Sequence, residues 1–261
     1  MKIQQLPRMP ILTGPTPIHP LPRLSARLNG PMIWIKRDDL APLVIGGNKL
    51  RKLEFLLGEA HQRSADVVVT VGAQQSNHAA QTAAAARRFG LEAVLLLQGL
   101  AEAAPAGNLL LNALYGADVR LDPAPPEDWG LRVVEELQAA GRRPYLIPVG
   151  GSNPVGATGF FLAGLELQRQ LDVEKVPVAE VIIASASGGT QAGLLLAASL
   201  GAPWKLLGIS INRPADELAQ LVFALSVATA DHLELPHPPR HLSQTTDDYV
   251  GQGYARLDDA T

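Results

Sequence analysis

Residues 67–97 read VVVTVGAQQSNHAAQTAAAARRFGLEAVLLL. The run Val67–Val71 has the composition of a strand, Ser76–Phe89 that of a helix, and Ala93–Leu97 that of a second strand. Gly90 stands where a helix stop is expected. The same alternation continues outward. Asp118–Leu121 and Tyr145–Val149 read as strands, and Gly107–Tyr115 and Trp129–Ala140 as helices, with Gly141 closing the last. After Gly150–Gly151 it resumes with a helix over about 155–170, a strand over 181–185, a helix over 192–200 and a strand over 206–211. Strand–helix alternation at this spacing predicts an α/β fold with mostly parallel sheets and right-handed crossovers. On the N-terminal side, Met32–Lys36 reads as a short strand and a helix is expected from Asn48 to Ala60. The first thirty residues carry Pro7, Pro10, Pro15, Pro17, Pro20 and Pro22 and read as an extended arm without regular structure. Two sheets are expected, with 48–150 forming a smaller domain and 1–47 plus 151–261 a larger one.

Composition narrows the function. The 261 residues are 47% hydrophobic and 18% charged, as in ordinary globular proteins, and are enough to bury a core without staples. With no cysteine, disulfide scaffolds, thiolate metal sites and cysteine nucleophiles are excluded, which fits a reducing, cytoplasmic compartment. A net charge of -3 gives no general electrostatic case for nucleic acid. The apolar runs are short of the roughly 20 residues that span a bilayer, and the N-terminus has no signal-peptide pattern. His232, His237 and His241 lie among prolines without supporting carboxylates, so no metal site is expected.

Of six lysines, Lys49 is unusual, because Leu53, Leu56, Leu57 and Ala60 fall within roughly 90° of it on a helical wheel, whereas Arg51 and Glu54 point elsewhere. Lys49 either snorkels from the first turn into water or sits in a partly desolvated cleft. In the cleft its pKa falls and the neutral amine is available for Schiff-base chemistry. Gly46–Gly47 just before it allow a flat ligand to approach the backbone.

Two loops complete the picture. Ser185–Ala186–Ser187–Gly188–Gly189–Thr190 follows a strand and opens a helix, the arrangement whose exposed amides bind phosphate, and Ser187 and Thr190 add hydroxyls. It matches neither the P-loop nor the dinucleotide fingerprint, so it reads as a phosphate cradle or as a plain glycine-rich turn. Gln74–Gln75–Ser76–Asn77–His78 lies at a strand's C-terminal end, where ligands of open α/β sheets collect. There Ser76 also suits a helix N-cap, and Asn77 and His78 either satisfy loop backbone or take part in chemistry, His78 as a base.

These pieces resemble the D-cysteine desulfhydrase / 1-aminocyclopropane-1-carboxylate (ACC) deaminase family of pyridoxal-phosphate enzymes, fold type II and tryptophan synthase β-like. The matching stretches are residues 12–17 (LTGPTP), 36–40 (KRDDL), 46–54 (GGNKLRKLE), 75–78 (QSNH), 187–193 (SGGTQAG) and 249–254 (YVGQGY). The resemblance runs through nearly the whole chain, and GGNK-x-RKLE with a downstream QSNH is specific. It implies a two-domain fold in which Lys49 carries pyridoxal 5'-phosphate as a Schiff base and Ser185, Ala186, Ser187, Gly188, Gly189 and Thr190 hold the phosphate. Asn77 would bond the ring hydroxyl. Gln75, Ser76, Asn77 and His78 would receive the substrate, with Ser76 assisting proton movement, and Tyr254 would be the active-site tyrosine. Two small departures are Ala186 and Ala255, where the family commonly has glycine. A larger one is that family members continue past Thr261 with a helix and a D-P-V-Y segment that supplies the partner of the pyridine nitrogen. A chain ending there is expected to bind cofactor poorly, catalyse weakly or fold marginally.

The reaction the resemblance implies is β-elimination from a small amino acid with a β-thiol, giving pyruvate, ammonia and sulfide, with Lys49 taking the α-proton. Deamination of ACC and sulfo-lysis of cysteate are alternatives on the same scaffold, and His78 leans toward the desulfhydrase branch. Rival classes are a truncated, non-catalytic remnant that still binds cofactor and a ligand-binding module without cofactor. The resemblance also implies a homodimer acting on a small amino acid, with no nucleic acid or membrane partner.

Overall fold

The computed structural model describes residues 2–44, 46–100 and 105–251. Its strands are β1 (Ile18–Pro20), β2 (Trp34–Lys36), β3 (Val67–Ala73), β4 (Glu92–Gln98), β5 (Asp118–Asp122), β6 (Pro144–Ile147), β7 (Glu180–Ser185), β8 (Lys205–Ser210) and β9 (Gln244–Thr246). Its α-helices are α1 (Pro22–Leu28), α2 (Lys49–Gln62), α3 (Asn77–Arg88), α4 (Gly107–Leu114), α5 (Trp129–Ala139), α6 (Pro154–Glu174), α7 (Gly189–Ser199) and α8 (Ala215–Leu233).

A four-stranded parallel sheet has the order β5–β4–β3–β6. The chain steps outward from β3 to β5 and then returns to place β6 on the other side of β3. Such a reversal leaves a crevice at the carboxyl ends of β3 and β6, the usual ligand position in open α/β sheets. A three-stranded parallel sheet, β7–β8–β9, and a small antiparallel pair, β1–β2, complete the strands.

The alternation expected from sequence is present, with ends shifted by a few residues. The proline-rich arm is a correction. Residues 18–20 pair with β2, and Pro22 opens α1 at the first helical position, where its fixed φ and missing N–H cost nothing. Helix α8, to which the sequence reading assigned nothing, begins after Pro214.

Helix α2 positions the site. Leu50, Leu53, Leu56 and Leu57 are fully buried in the core shared with β3, β4 and α3, each contributing about 2 kcal/mol. Arg51 and Glu54 do leave that apolar face, but not for water. Arg51 is buried and grips Asp38 through Nε and Nη2 and Glu166 through Nη1 and Nη2, each at 2.9 Å. Lys36 also pairs with Glu166. Glu54 accepts from Arg8 and from the backbone amides of Ile11 and Leu12. Both charges are therefore paired and hydrogen-bonded, the condition for burying them. On the α6 side, a Cβ at Gly159 would lie 2.0 Å from the Arg51 carbonyl oxygen, so glycine permits the close approach of the two helices.

Candidate active site

Gly46 and Gly47 form the turn into α2 with φ of +71° and +116°. A Cβ on Gly46 would lie 1.9 Å from the Asp39 carbonyl oxygen. The turn is pinned by Gly47 N donating to the Asp38 carbonyl at 2.7 Å and by Gln81 Nε2 donating to the Gly46 carbonyl at 2.8 Å. This delivers Lys49 as the first residue of the helix, half-buried. Its Nζ donates to Asn48 Oδ1 at 3.0 Å, and no carboxylate pairs with it among the described residues. Burial alone pushes its pKa down to about 8. A half-buried amine turned onto Asn48 fits the partly desolvated cleft better than a side chain reaching into water.

One turn on, Lys52 is 1% exposed. Its Nζ donates to the Gly150 carbonyl at 3.0 Å and to Ser152 Oγ at 3.1 Å. Burial, then the charge of Lys49, holds its pKa well below the usual lysine value. Lys52 and Ser152 join the site as residues not expected from sequence. The signal for Lys52 was its spacing, since i and i+3 share a helix face, so Lys52 points where Lys49 points. Ser152 had no such signal, because only the return of β6 beside β3 brings it here.

The glycine loop meets these residues. Gly188, with φ of +76°, caps α7, and the Gly189 amide donates to Ser152 Oγ at 3.2 Å. Ser187 Oγ lies 2.8 Å from Ser152 Oγ, and Thr190 Oγ1 accepts from Asn48 Nδ2 at 3.0 Å. Lys52, Gly189 and Ser187 thus surround one oxygen, that of Ser152, at the N-terminus of a helix. A Cβ on Gly189 would lie 2.5 Å from Ser152 Oγ and 2.8 Å from Lys52 Nζ. A buried lysine amine with only neutral partners, backbone amides and hydroxyls is a donor set for a phosphate group, whose charge would in turn favour the protonated amine. The residues present therefore fit pyridoxal phosphate at both ends, with an amine for the aldehyde and a cradle for the phosphate. Ser185, the last residue of β7, is buried with an unpartnered hydroxyl beside this loop, and Ala186 links it to Ser187.

The loop after β3 sits in the crevice. Ser76 is the N-cap of α3, its Oγ accepting from Ala79 N at 3.3 Å, so the capping role is real. The amides of Asn77 and His78 then open the helix without intrahelical acceptors. Gln75 spends both ends of its amide, Oε1 accepting from Asn108 N at 2.8 Å and Nε2 donating to the Ala106 carbonyl at 3.2 Å. Asn77 Oδ1 accepts from Asn108 Nδ2 at 2.8 Å. His78 is buried. Its Nε2 lies 3.0 Å from Thr70 Oγ1, which itself donates to the Ile147 carbonyl, so Nε2 carries the ring proton and Nδ1 is left an unpartnered acceptor. Burial, then the charges of Lys49 and Lys52, pushes His78 down to about 3. It is neutral at physiological pH and too weak for a general base there. Tyr254 lies outside the described residues. His237 pairs with Asp231 at 2.7 Å, away from the site. Among the described residues, no helix is long and apolar enough to cross a membrane.

Residues 10–261 match the family described as pyridoxal-phosphate dependent enzyme. The D-cysteine desulfhydrase of Klebsiella pneumoniae subsp. pneumoniae is 42% identical over 269 residues, covering 97% of this chain and 80% of the relative. A Pyrococcus abyssi protein, named as a candidate 1-aminocyclopropane-1-carboxylate deaminase, is 42% identical over 237 residues, covering 88% of this chain and 71% of the relative. A crystal structure of an ACC deaminase homologue superposes with a TM-score of 0.86 at 38% identity, covering 94% of this chain and 74% of that one.

Proposed function

The chain belongs to the pyridoxal-phosphate-dependent enzyme family, and on that premise we propose that it is a lyase converting D-cysteine and water to pyruvate, ammonia and sulfide. The observation that carries the reading is the pair Lys49 and Lys52 on one face of α2. One is an amine that titrates near 8, and the other is a buried amine that donates to Gly150 O and Ser152 Oγ at the N-terminus of α7.

Lys52, Ser187 and the amides of Gly188, Gly189 and Thr190 would hold the phosphate, with Ser185 and Ala186 shaping the loop. Asn77 would bond the ring hydroxyl. Bound pyridoxal phosphate supplies an aldehyde that condenses with amines and a ring that accepts the electron pair released at the α-carbon. Lys49 Nζ takes the proton from the substrate's α-carbon, a task suited to an amine titrating near 8. The Ser76 hydroxyl and the free amides at the start of α3 receive the substrate carboxylate, where the helix dipole favours an anion. His78 underlies that loop as a neutral, buried wall. Tyr254 is retained as a catalytic residue by resemblance. The two-domain division at 47/48 and 150/151, the homodimer and the cytoplasmic location belong to the same proposal.

The Pyrococcus abyssi relative, at the same identity, supports a second reading, opening of ACC to 2-oxobutyrate and ammonia. Purified protein loaded with pyridoxal phosphate is assayed for pyruvate from D-cysteine and from cysteate, and for 2-oxobutyrate from ACC. Pyruvate and sulfide from D-cysteine, abolished in Lys49→Ala, is the expected result. Turnover of ACC or cysteate alone would move the assignment within the family. Cofactor absorbance with no product from any of the three would mark a non-catalytic remnant and overturn the proposal.

A further inference from the structure

The side chain that organises the loop after β3 is Asn108, in the first turn of α4. Its Nδ2 lies 2.8 Å from the Gln75 carbonyl oxygen and 2.8 Å from Asn77 Oδ1. Its backbone amide donates to Gln75 Oε1 at 2.8 Å. The approach is close enough that a Cβ on the preceding Gly107, whose φ is +56°, would lie 2.6 Å from Gln75 Oε1. Asn108 is buried, whereas Asn77 is exposed.

These contacts settle the polarity of Asn77. A carbonyl oxygen only accepts, so the Asn108 atom facing Gln75 O is the nitrogen. That same nitrogen faces Asn77, so the Asn77 atom it meets is oxygen. Both hydrogens of the Asn108 amide are then spent, and Asn77 Nδ2 is left without a partner among the described residues. The clasp therefore engages the acceptor half of Asn77 and leaves its donor half free.

We propose that Asn108 is a positioning residue that fixes Asn77 as a hydrogen-bond donor toward the cofactor's ring oxygen, by occupying Asn77 Oδ1. The proposal rests on the reading of Asn77 given above. A free asparagine amide offers either face, and the wrong face sets oxygen against oxygen. Asn108 removes that choice before the ligand arrives, which is preorganisation in a single side chain.

Asn108→Asp, read with two cofactor probes, tests the polarity. Aspartate keeps the size and suits the first turn of a helix, but it only accepts, so it loses the bond to the Gln75 carbonyl and draws Asn77 to rotate and donate inward; the deoxy probe separates the two effects. The probes are pyridoxal 5'-phosphate and 3-deoxypyridoxal 5'-phosphate, which lacks the ring hydroxyl. Their dissociation constants are measured by absorbance titration of the unsubstituted protein, Asn108→Asp, Asn108→Ala and Asn77→Ala. In Asn108→Asp, pyridoxal phosphate is expected to bind about 10- to 100-fold more weakly, as for loss of a charge-assisted hydrogen bond, with a smaller loss in Asn108→Ala. The deoxy probe is expected to bind all four proteins equally. Unchanged pyridoxal phosphate affinity in Asn108→Asp, or equal losses for both probes, overturns the proposal, the second outcome marking a loop staple only. If Asn108→Asp does not fold, Asn108→Ala carries the same comparison. Should Asn77→Ala bind both probes normally, the reading of Asn77 itself fails. A selective loss in Asn77→Ala without one in Asn108→Asp overturns the positioning role alone.

Discussion

Replacing Lys49 by methionine should stabilise the cofactor-free protein at neutral pH. A lysine titrating near 8 in the folded chain and near its ordinary 10.5 when unfolded costs the folded state about 3 kcal/mol while it is protonated. The unfolded chain binds that proton more tightly. The cost is therefore fully present below pH 8 and disappears as pH rises from 8 to 10.5. Methionine keeps the bulk of the side chain and removes the charge, so the gain should be about 3 kcal/mol at pH 7 and close to zero near pH 10.5. The hydrogen bond to Asn48 is lost as well, which lowers both figures by about 1 kcal/mol and leaves a net gain of about 2 kcal/mol at pH 7 and a small loss near pH 10.5. Lys49's charge is also the second cause depressing Lys52, so the variant lets Lys52 protonate more readily, and the effect is read from the difference between the two proteins. Urea unfolding followed by circular dichroism at pH 7 and pH 10, with pyridoxal phosphate removed, measures it. Parallel pH dependences in the two proteins would refute a desolvated Lys49, as would a variant less stable at pH 7.

Arg51→Met leaves Asp38 and Glu166 without their shared guanidinium and should lower stability by about 3 kcal/mol, measured by the same unfolding. Its Glu166 carboxyl, now held below the usual range chiefly by Arg51 and Lys36 against burial, should titrate higher. Gly189→Ala puts a methyl group against Ser152 and Lys52 and should weaken inorganic phosphate binding about tenfold by calorimetry, leaving secondary structure intact. His78 should show no midpoint between pH 5 and 8 when its Cε1 proton is followed by NMR. Because its folded pKa near 3 lies below the unfolded 6.5, stability should fall as pH drops through 6.5 toward 3.

The α/β alternation was legible because β3, β4 and α3 are bounded by glycines and polar loops at regular spacing. The N-terminal arm misled because proline in position one of a helix looks the same in sequence as proline in an extended segment, and only α1 shows which applies. Helix α8 carries apolar residues on several sides, so it lacks the one-sided stripe that marks a surface helix. In the site, Lys49 stood out because the charge fell on an apolar face. Lys52 sits on much the same face, but its partners Gly150 and Ser152 are about a hundred residues away in sequence, so beyond its spacing nothing local marks it. Ser152 and Asn108 were invisible because each acts across a loop gap, on Ser187 and Asn77, that only the strand order closes. Gln75 looked like a substrate contact, yet its amide is consumed by Asn108 and Ala106.

Three buried or half-buried lysines, Lys36, Lys49 and Lys52, are the amines near the site, and Lys49 is the one proposed to hold the cofactor. Reducing the pyridoxal-phosphate-loaded protein with borohydride and mapping the modified peptide by mass spectrometry should place the pyridoxyl group on Lys49 alone. Modification at Lys52 or Lys36, or none at all, would contradict it.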